Sequence, residues 1–144
     1  MKTVVYIRAA AVLTLIHAVL HTIGVFSSVN PGPEAVAVAA MKSNQFVAMG
    51  SLRTFWDFYR GMGLAVSVFL TMESVVLWLL ASLARSRASQ LRPFLIVFAI
   101  GYLVFAIDSY RYFFAAPVIT EILISLCLVA AAISARQAAE TARG

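Results

Sequence analysis

Leu64-Ala65-Val66-Ser67-Val68-Phe69-Leu70-Thr71-Met72-Glu73-Ser74-Val75-Val76-Leu77-Trp78-Leu79-Leu80-Ala81 is an apolar run with one ionisable residue, Glu73. A helix of about 20 mostly apolar residues crosses the hydrocarbon of a bilayer. The composition around this run agrees with that use. Of the 144 residues, 62% are hydrophobic and 12% charged, and the mean hydropathy is +0.94. A soluble domain is nearer half apolar and a quarter charged. The excess cannot be hidden inside 15.6 kDa, because a small domain has too much surface for its volume. Disorder is excluded by the same numbers, since it needs low hydrophobicity and high charge. The chain reads as an integral membrane protein.

Four spans are expected, at residues 4–26, 54–84, 91–114 and 117–135. The fold class is therefore all-α, a membrane-embedded four-helix bundle forming a single transmembrane domain over residues 1–144. The first span is expected to remain as a helix. His17 and His21 interrupt its apolar core, and Phe26-Ser27-Ser28-Val29 makes a poor leader cleavage site. Asn30-Pro31-Gly32-Pro33 must break the helix after it. Glu34 to Met49 then reads as a short interfacial helix, with Val38, Met41, Gln45, Phe46 and Met49 near one face and Gly50 as its stop. Thr54 to Asp57 has the form of a capping box. Pro117 suits the first turn of the fourth span.

Lys and Arg favour the cytoplasmic side. With four spans, Lys2, Arg8, Arg85, Arg87, Arg92, Arg136 and Arg143 share one side, against Lys42, Arg53, Arg60 and Arg111. Both termini are thus expected in the cytoplasm. The net charge of +5 is explained by these loops, and no motif for nucleic acid is present. The single cysteine, Cys127, excludes an internal disulfide and a CxxC redox or zinc pair.

Ionisable groups at membrane depth are costly and usually face the bundle interior or water. His17 and His21, four apart, share a helical face. They are candidates for proton transfer, because an imidazole titrates near neutral pH. The alternative is a metal or haem site on both histidines, completed by Asp57, Asp108 or Glu121. The plain alternative is interhelical hydrogen bonding. Asp57 and Arg60 can pair along the second span, and Asp108 and Arg111 along the third. All four join the histidines as candidate catalytic groups, although capping and interfacial anchoring explain them as well. Phe105, Asp108 and Tyr112 are expected on one face, with Tyr102 pointing elsewhere. Trp56, Tyr59, Tyr112 and Glu121 are candidate ligand contacts. For Glu73 the plain reading is a hydrogen bond to a facing helix. With the termini inside, every span brings ionisable groups to the outer half of the bilayer, which favours a polar site there.

Thr54-Phe55-Trp56-Asp57-Phe58-Tyr59-Arg60-Gly61-Met62-Gly63-Leu64, with Ile16-His17-Ala18-Val19-Leu20-His21-Thr22-Ile23-Gly24 before it and Tyr110-Arg111-Tyr112-Phe113-Phe114-Ala115 after it, resembles a family of small four-helix bacterial membrane proteins with no assigned activity. The resemblance implies a multi-pass protein of the bacterial inner membrane and transfers no substrate and no catalytic residue. The residues themselves leave three functions open. One is a site near the outer leaflet that binds or isomerises a small hydrophobic, lipid-like or quinone-like molecule. The second is metal or haem binding through His17 and His21. The third is a non-catalytic accessory or assembly subunit, as a homo-oligomer or with a partner membrane subunit. The partners expected are the lipid bilayer and a small hydrophobic ligand, with no nucleic acid; no cofactor follows from the sequence.

Overall fold

In the computed structural model, the backbone is described from Lys2 to Thr141 and side chains as far as Gln137; Arg143, counted above for orientation, lies outside the described residues. The chain is almost entirely helical: α1 is Lys2–Phe26, α2 Pro33–Ser43, α3 Phe55–Tyr112 and α4 Ala115–Thr141. A two-stranded antiparallel hairpin, β1 (Gln45–Ala48) and β2 (Ser51–Thr54), joins α2 to α3. Among the described residues, three helices are long and apolar enough to cross a membrane.

The longest of them, α3, has 58 residues, and would measure about 87 Å if straight. The hydrocarbon of a bilayer is only about 30 Å thick. The helix is interrupted at Arg87, where φ is −133° and ψ is 35°. The chain reverses there. Tyr102 Oη donates to Glu73 Oε2 at 2.8 Å across 29 residues, a separation of about 43 Å along a straight helix. Pro93, six residues beyond the break, has no N–H to offer the Ser89 carbonyl.

The residues fall into two compact units, one running to His17 and resuming from Leu70, the other Ala18–Phe69. In the first, helices α1, α3 and α4 are built inside out relative to a soluble protein. Small residues fill much of the core: Ala10, Ala11, Ala81, Ala99, Ala131 and Ala132. Large apolar side chains face outward, Val97 at 69% exposure and Leu126 at 58%. Small residues let helix backbones approach closely where lipid removes any hydrophobic gain from packing. Interhelical hydroxyl bonds tie the same helices together. Ser74 Oγ donates to the Ala11 carbonyl at 2.9 Å, and Ser125 Oγ to the Ala99 carbonyl at 2.8 Å. The Arg8 guanidinium lies over the Trp78 ring, 5.0 Å from its centroid.

The second unit corrects the expected helix over residues 34–49. Pro33 begins α2 at its first turn, as proline can. The helix ends at Ser43, because Asn44 turns its backbone out of helical geometry and bonds back to the Ala40 carbonyl, Nδ2 at 2.7 Å. Val38 and Met41 stay on the helix, but Gln45, Phe46 and Met49 do not. Met49 and Gly50 have φ of 48° and 81°. Two successive positive φ values make a tight turn whose twist suits a two-residue hairpin. Gly50 is therefore a hairpin residue and not a helix stop. Phe46 stacks on Phe58, with centroids 5.7 Å apart, and meets Phe55 at a tilt, with centroids 4.8 Å apart.

At the start of α3 the capping box is present. Thr54 N–H donates to Asp57 Oδ2 at 2.8 Å, and Asp57 N–H to Thr54 Oγ1 at 3.1 Å. Farther along, Gly63 packs against Val25: a β-carbon there would lie 2.8 Å from Val25 Cγ2. At Gly61 a β-carbon would meet nothing within 4 Å. Gly63→Ala should therefore destabilise the protein by about 1–3 kcal/mol through overpacking. Gly61→Ala should be neutral or stabilising by up to about 1 kcal/mol, since alanine is the better helix former. Thermal unfolding of both variants in one detergent checks this ordering.

Candidate buried polar site

Helix α1 presents Thr3, Ile7, Ala10, Ala11, Thr14, His17 and Ala18 as one buried stripe, at the i, i+3, i+4 spacing of a helical face. His17 is the only ionisable member. Its Nε2 lies 3.9 Å from Glu121 Oε1. Glu121 comes from the second turn of α4 and is fully buried. Ser109, near the end of α3, donates its hydroxyl to the same Oε1 at 2.9 Å. The Phe105 ring stacks alongside the imidazole with centroids 6.2 Å apart. The other carboxyl oxygen of Glu121, Oε2, is buried and has no hydrogen-bond partner. Three helices thus place a histidine, a carboxyl and a hydroxyl together in an apolar interior.

A second polar chain lies in the same unit. Tyr102 Oη, which donates to Glu73, is also 3.1 Å from Thr14 Oγ1. Thr14 Oγ1 in turn reaches the Ala10 carbonyl at 2.9 Å. Tyr102 uses its one proton on Glu73, so Thr14 is the donor to Tyr102 and shares that proton with the Ala10 carbonyl.

The other candidates stand differently. His21 is half-buried, with Nε2 3.0 Å from the Gly63 carbonyl. A carbonyl only accepts, so His21 Nε2 carries the proton. Asp57 is exposed and committed to its capping box. Arg60 lies over the Phe26 ring at 5.0 Å. The expected Asp57–Arg60 ion pair does not form, because the cap holds the carboxylate. Trp56 stacks on Tyr59 at 5.4 Å and carries Lys42 over its face at 4.8 Å. Asp108, Arg111 and Tyr112 are all exposed, and no Asp108–Arg111 ion pair forms. Phe105, Asp108 and Tyr112 lie off the buried stripe of this segment, which is Leu95, Ala99, Tyr102, Ala106 and Ser109. Among the described residues, no three His, Cys, Asp or Glu side chains are grouped to hold a metal ion.

Of the candidate set, the structure brings together His17 and Glu121. Sequence reasoning missed Ser109 and the role of Tyr102. The signal was there in the small residues Ala99 and Ala106, which mark the packed face on which both lie. No protein family, curated protein or solved structure matches the chain.

Hydrogen bonds between membrane helices contribute about 0.6–2 kcal/mol each. Ser109→Ala should cost one such bond. Tyr102→Phe should cost more, because both Thr14 and Glu73 lose a partner. Ser82 is exposed and bonds only within its own helix, so Ser82→Ala should fall within about 0.5 kcal/mol of the parent. Reversible unfolding in mixed micelles measures all three.

Proposed function

We propose that the chain is a four-span protein of the bacterial plasma membrane, with both termini cytoplasmic. Its His17–Glu121 pair transfers protons to and from a small hydrophobic molecule that enters from the bilayer. One observation carries the reading: a fully buried carboxyl stands 3.9 Å from an imidazole nitrogen. Ionisable groups inside a membrane are expensive to keep, and by default they mark a working site.

The pair is suited to proton transfer because it can hold one proton in two ways, as acid beside imidazole or as carboxylate beside imidazolium. Ser109 orients the carboxyl through Oε1 and leaves Oε2 as the oxygen that meets a ligand or a proton. The Ser109 hydroxyl points its proton at a carboxyl, so it is an orienting group and not a base-activated nucleophile. A proton shift or isomerisation fits this set better than hydrolysis. The metal reading loses support, because His21 gives Nε2 to a backbone carbonyl and, among the described residues, no third ligand joins the histidines.

Nitrogen-15 NMR of the two histidines in lipid nanodiscs tests the pairing. Glu121→Gln should shift the His17 imidazole nitrogen resonances and leave those of His21 in place. Unshifted His17 resonances overturn the reading. The ligand is tested by mass spectrometry of organic extracts. An apolar compound should accompany the parent protein and be lost from the His17→Ala, Glu121→Gln variant. Equal retention by both proteins removes the site from its binding.

A further inference from the structure

The hairpin in the second unit has two faces. On one, Phe46 packs against Phe55 and Phe58 in the first turn of α3, so the ribbon lies against the start of that helix. On the other, Val47 and Leu52 stand directly opposite each other, 71% and 58% exposed. Met49, in the turn, is fully exposed. From Ser43 to Leu52 there is no charged residue. A hairpin with one face packed and the other in water alternates apolar and polar side chains. This one has apolar side chains on both faces and at its tip.

The turn points the same way. Met49 has φ of 48°, in the left-handed region. The first central residue of such a turn is ordinarily Asn, Asp or Gly. Asparagine takes that conformation more readily and is well hydrated, so at a tip in water methionine is the worse residue for backbone and solvation alike. Its flexible thioether suits apolar surroundings.

We infer that the hairpin is seated in the boundary between headgroups and acyl chains of the bilayer, with Val47, Met49 and Leu52 among the outermost methylenes. Continuity with α3 selects lipid as the occupant. That helix begins immediately after β2 and is long and apolar enough to cross a membrane. Phe55, Phe58 and Met62, at i, i+3 and i+7 spacing and all exposed, carry the same apolar surface along it. The backbone limits the depth. A two-stranded ribbon has two open edges, and their N–H and C=O groups have no partners in hydrocarbon. The strands therefore stay at headgroup level while the side chains reach inward, as in amphipathic segments that bury an apolar face about 5–10 Å deep. The inference rests on the membrane placement proposed above and uses no residue of the His17–Glu121 site.

Methyl NMR of the full chain tests it, with carbon-13 in methionine, valine and alanine methyls, in nanodiscs of phosphatidylcholine and phosphatidylglycerol. Met49→Leu, Val47→Ile and Ala48→Ser serve only to assign signals. The Met49 and Val47 methyls should show Overhauser contacts to acyl methylene protons and resist broadening by a water-soluble gadolinium chelate. Ala48, on the Phe46 face, should show no such lipid contact. Met62 is the control for membrane placement. Lipid contact at Met62 with none at Met49 and Val47, both broadened by gadolinium, overturns the inference and leaves the membrane placement standing. No lipid contact at Met62 either removes that placement and the inference with it. Contacts from Met49 to a second, differently labelled copy of the chain in place of lipid would make the hairpin a self-association surface and overturn it as well.

Discussion

Tyr102 Oη stands between Thr14 Oγ1 and Glu73 Oε2, at 3.1 and 2.8 Å, and the register of the larger unit depends on that hydroxyl. It links α1 to both segments of α3. Inside a bilayer there is no water to satisfy Glu73, so its carboxyl must find a partner within the protein. The partner can reach it only if α3 doubles back at Arg87. The reversal buries small residues of the returning segment, Ala99 and Ala106, and brings the Ala99 carbonyl to Ser125 of α4, since small residues let helix backbones close. It also carries Ser109 to the level of Glu121.

The same constraint accounts for the second buried carboxyl. Glu121 enters the interior from the start of α4 and is met there by Ser109 and His17. The two carboxyls are treated differently. Glu73 takes a strong hydrogen bond from a phenol that is itself held by Thr14, which suits a structural acid. Glu121 shares one oxygen between a serine and a histidine at 3.9 Å and keeps the other without a partner. A group that can gain or lose a proton without dismantling its surroundings suits chemistry. This contrast, within one unit, favours the proposed proton transfer at His17 and Glu121 over one at Glu73.

Much of the architecture was legible from hydropathy, because the energetic cost of exposed backbone in lipid leaves helices as the solution for long apolar runs. Local signals with a hydrogen-bond mechanism also read well: Thr54 with Asp57 as a capping box, and Pro117 in the first turn of α4. The hairpin at residues 45–54 was hidden, since Phe46 and Met49 continue the apolar spacing of α2 and nothing in that spacing announces the turn at Met49-Gly50. Within the site, His17 and Glu121 were legible as ionisable residues in apolar runs. Asp57, Arg60, Asp108 and Arg111 drew attention by their charge, but a helix cap, an aromatic ring and exposed positions hold them. Ser109 and Tyr102 were overlooked because the packed face of a membrane helix is marked by small and hydroxyl side chains, not by charge.

The account rests on the proximity of His17 and Glu121 inside a bilayer. Solid-state NMR measures it directly, by dephasing between imidazole nitrogen-15 and carboxyl carbon-13 in protein reconstituted into lipid. A His21→Gln background leaves one imidazole signal. The structure predicts strong dephasing of that signal, in keeping with Nε2 and Oε1 3.9 Å apart, and its loss in Glu121→Gln carrying the same labels. No dephasing in the Glu121-containing protein would contradict the account, because the buried acid would then have no histidine beside it.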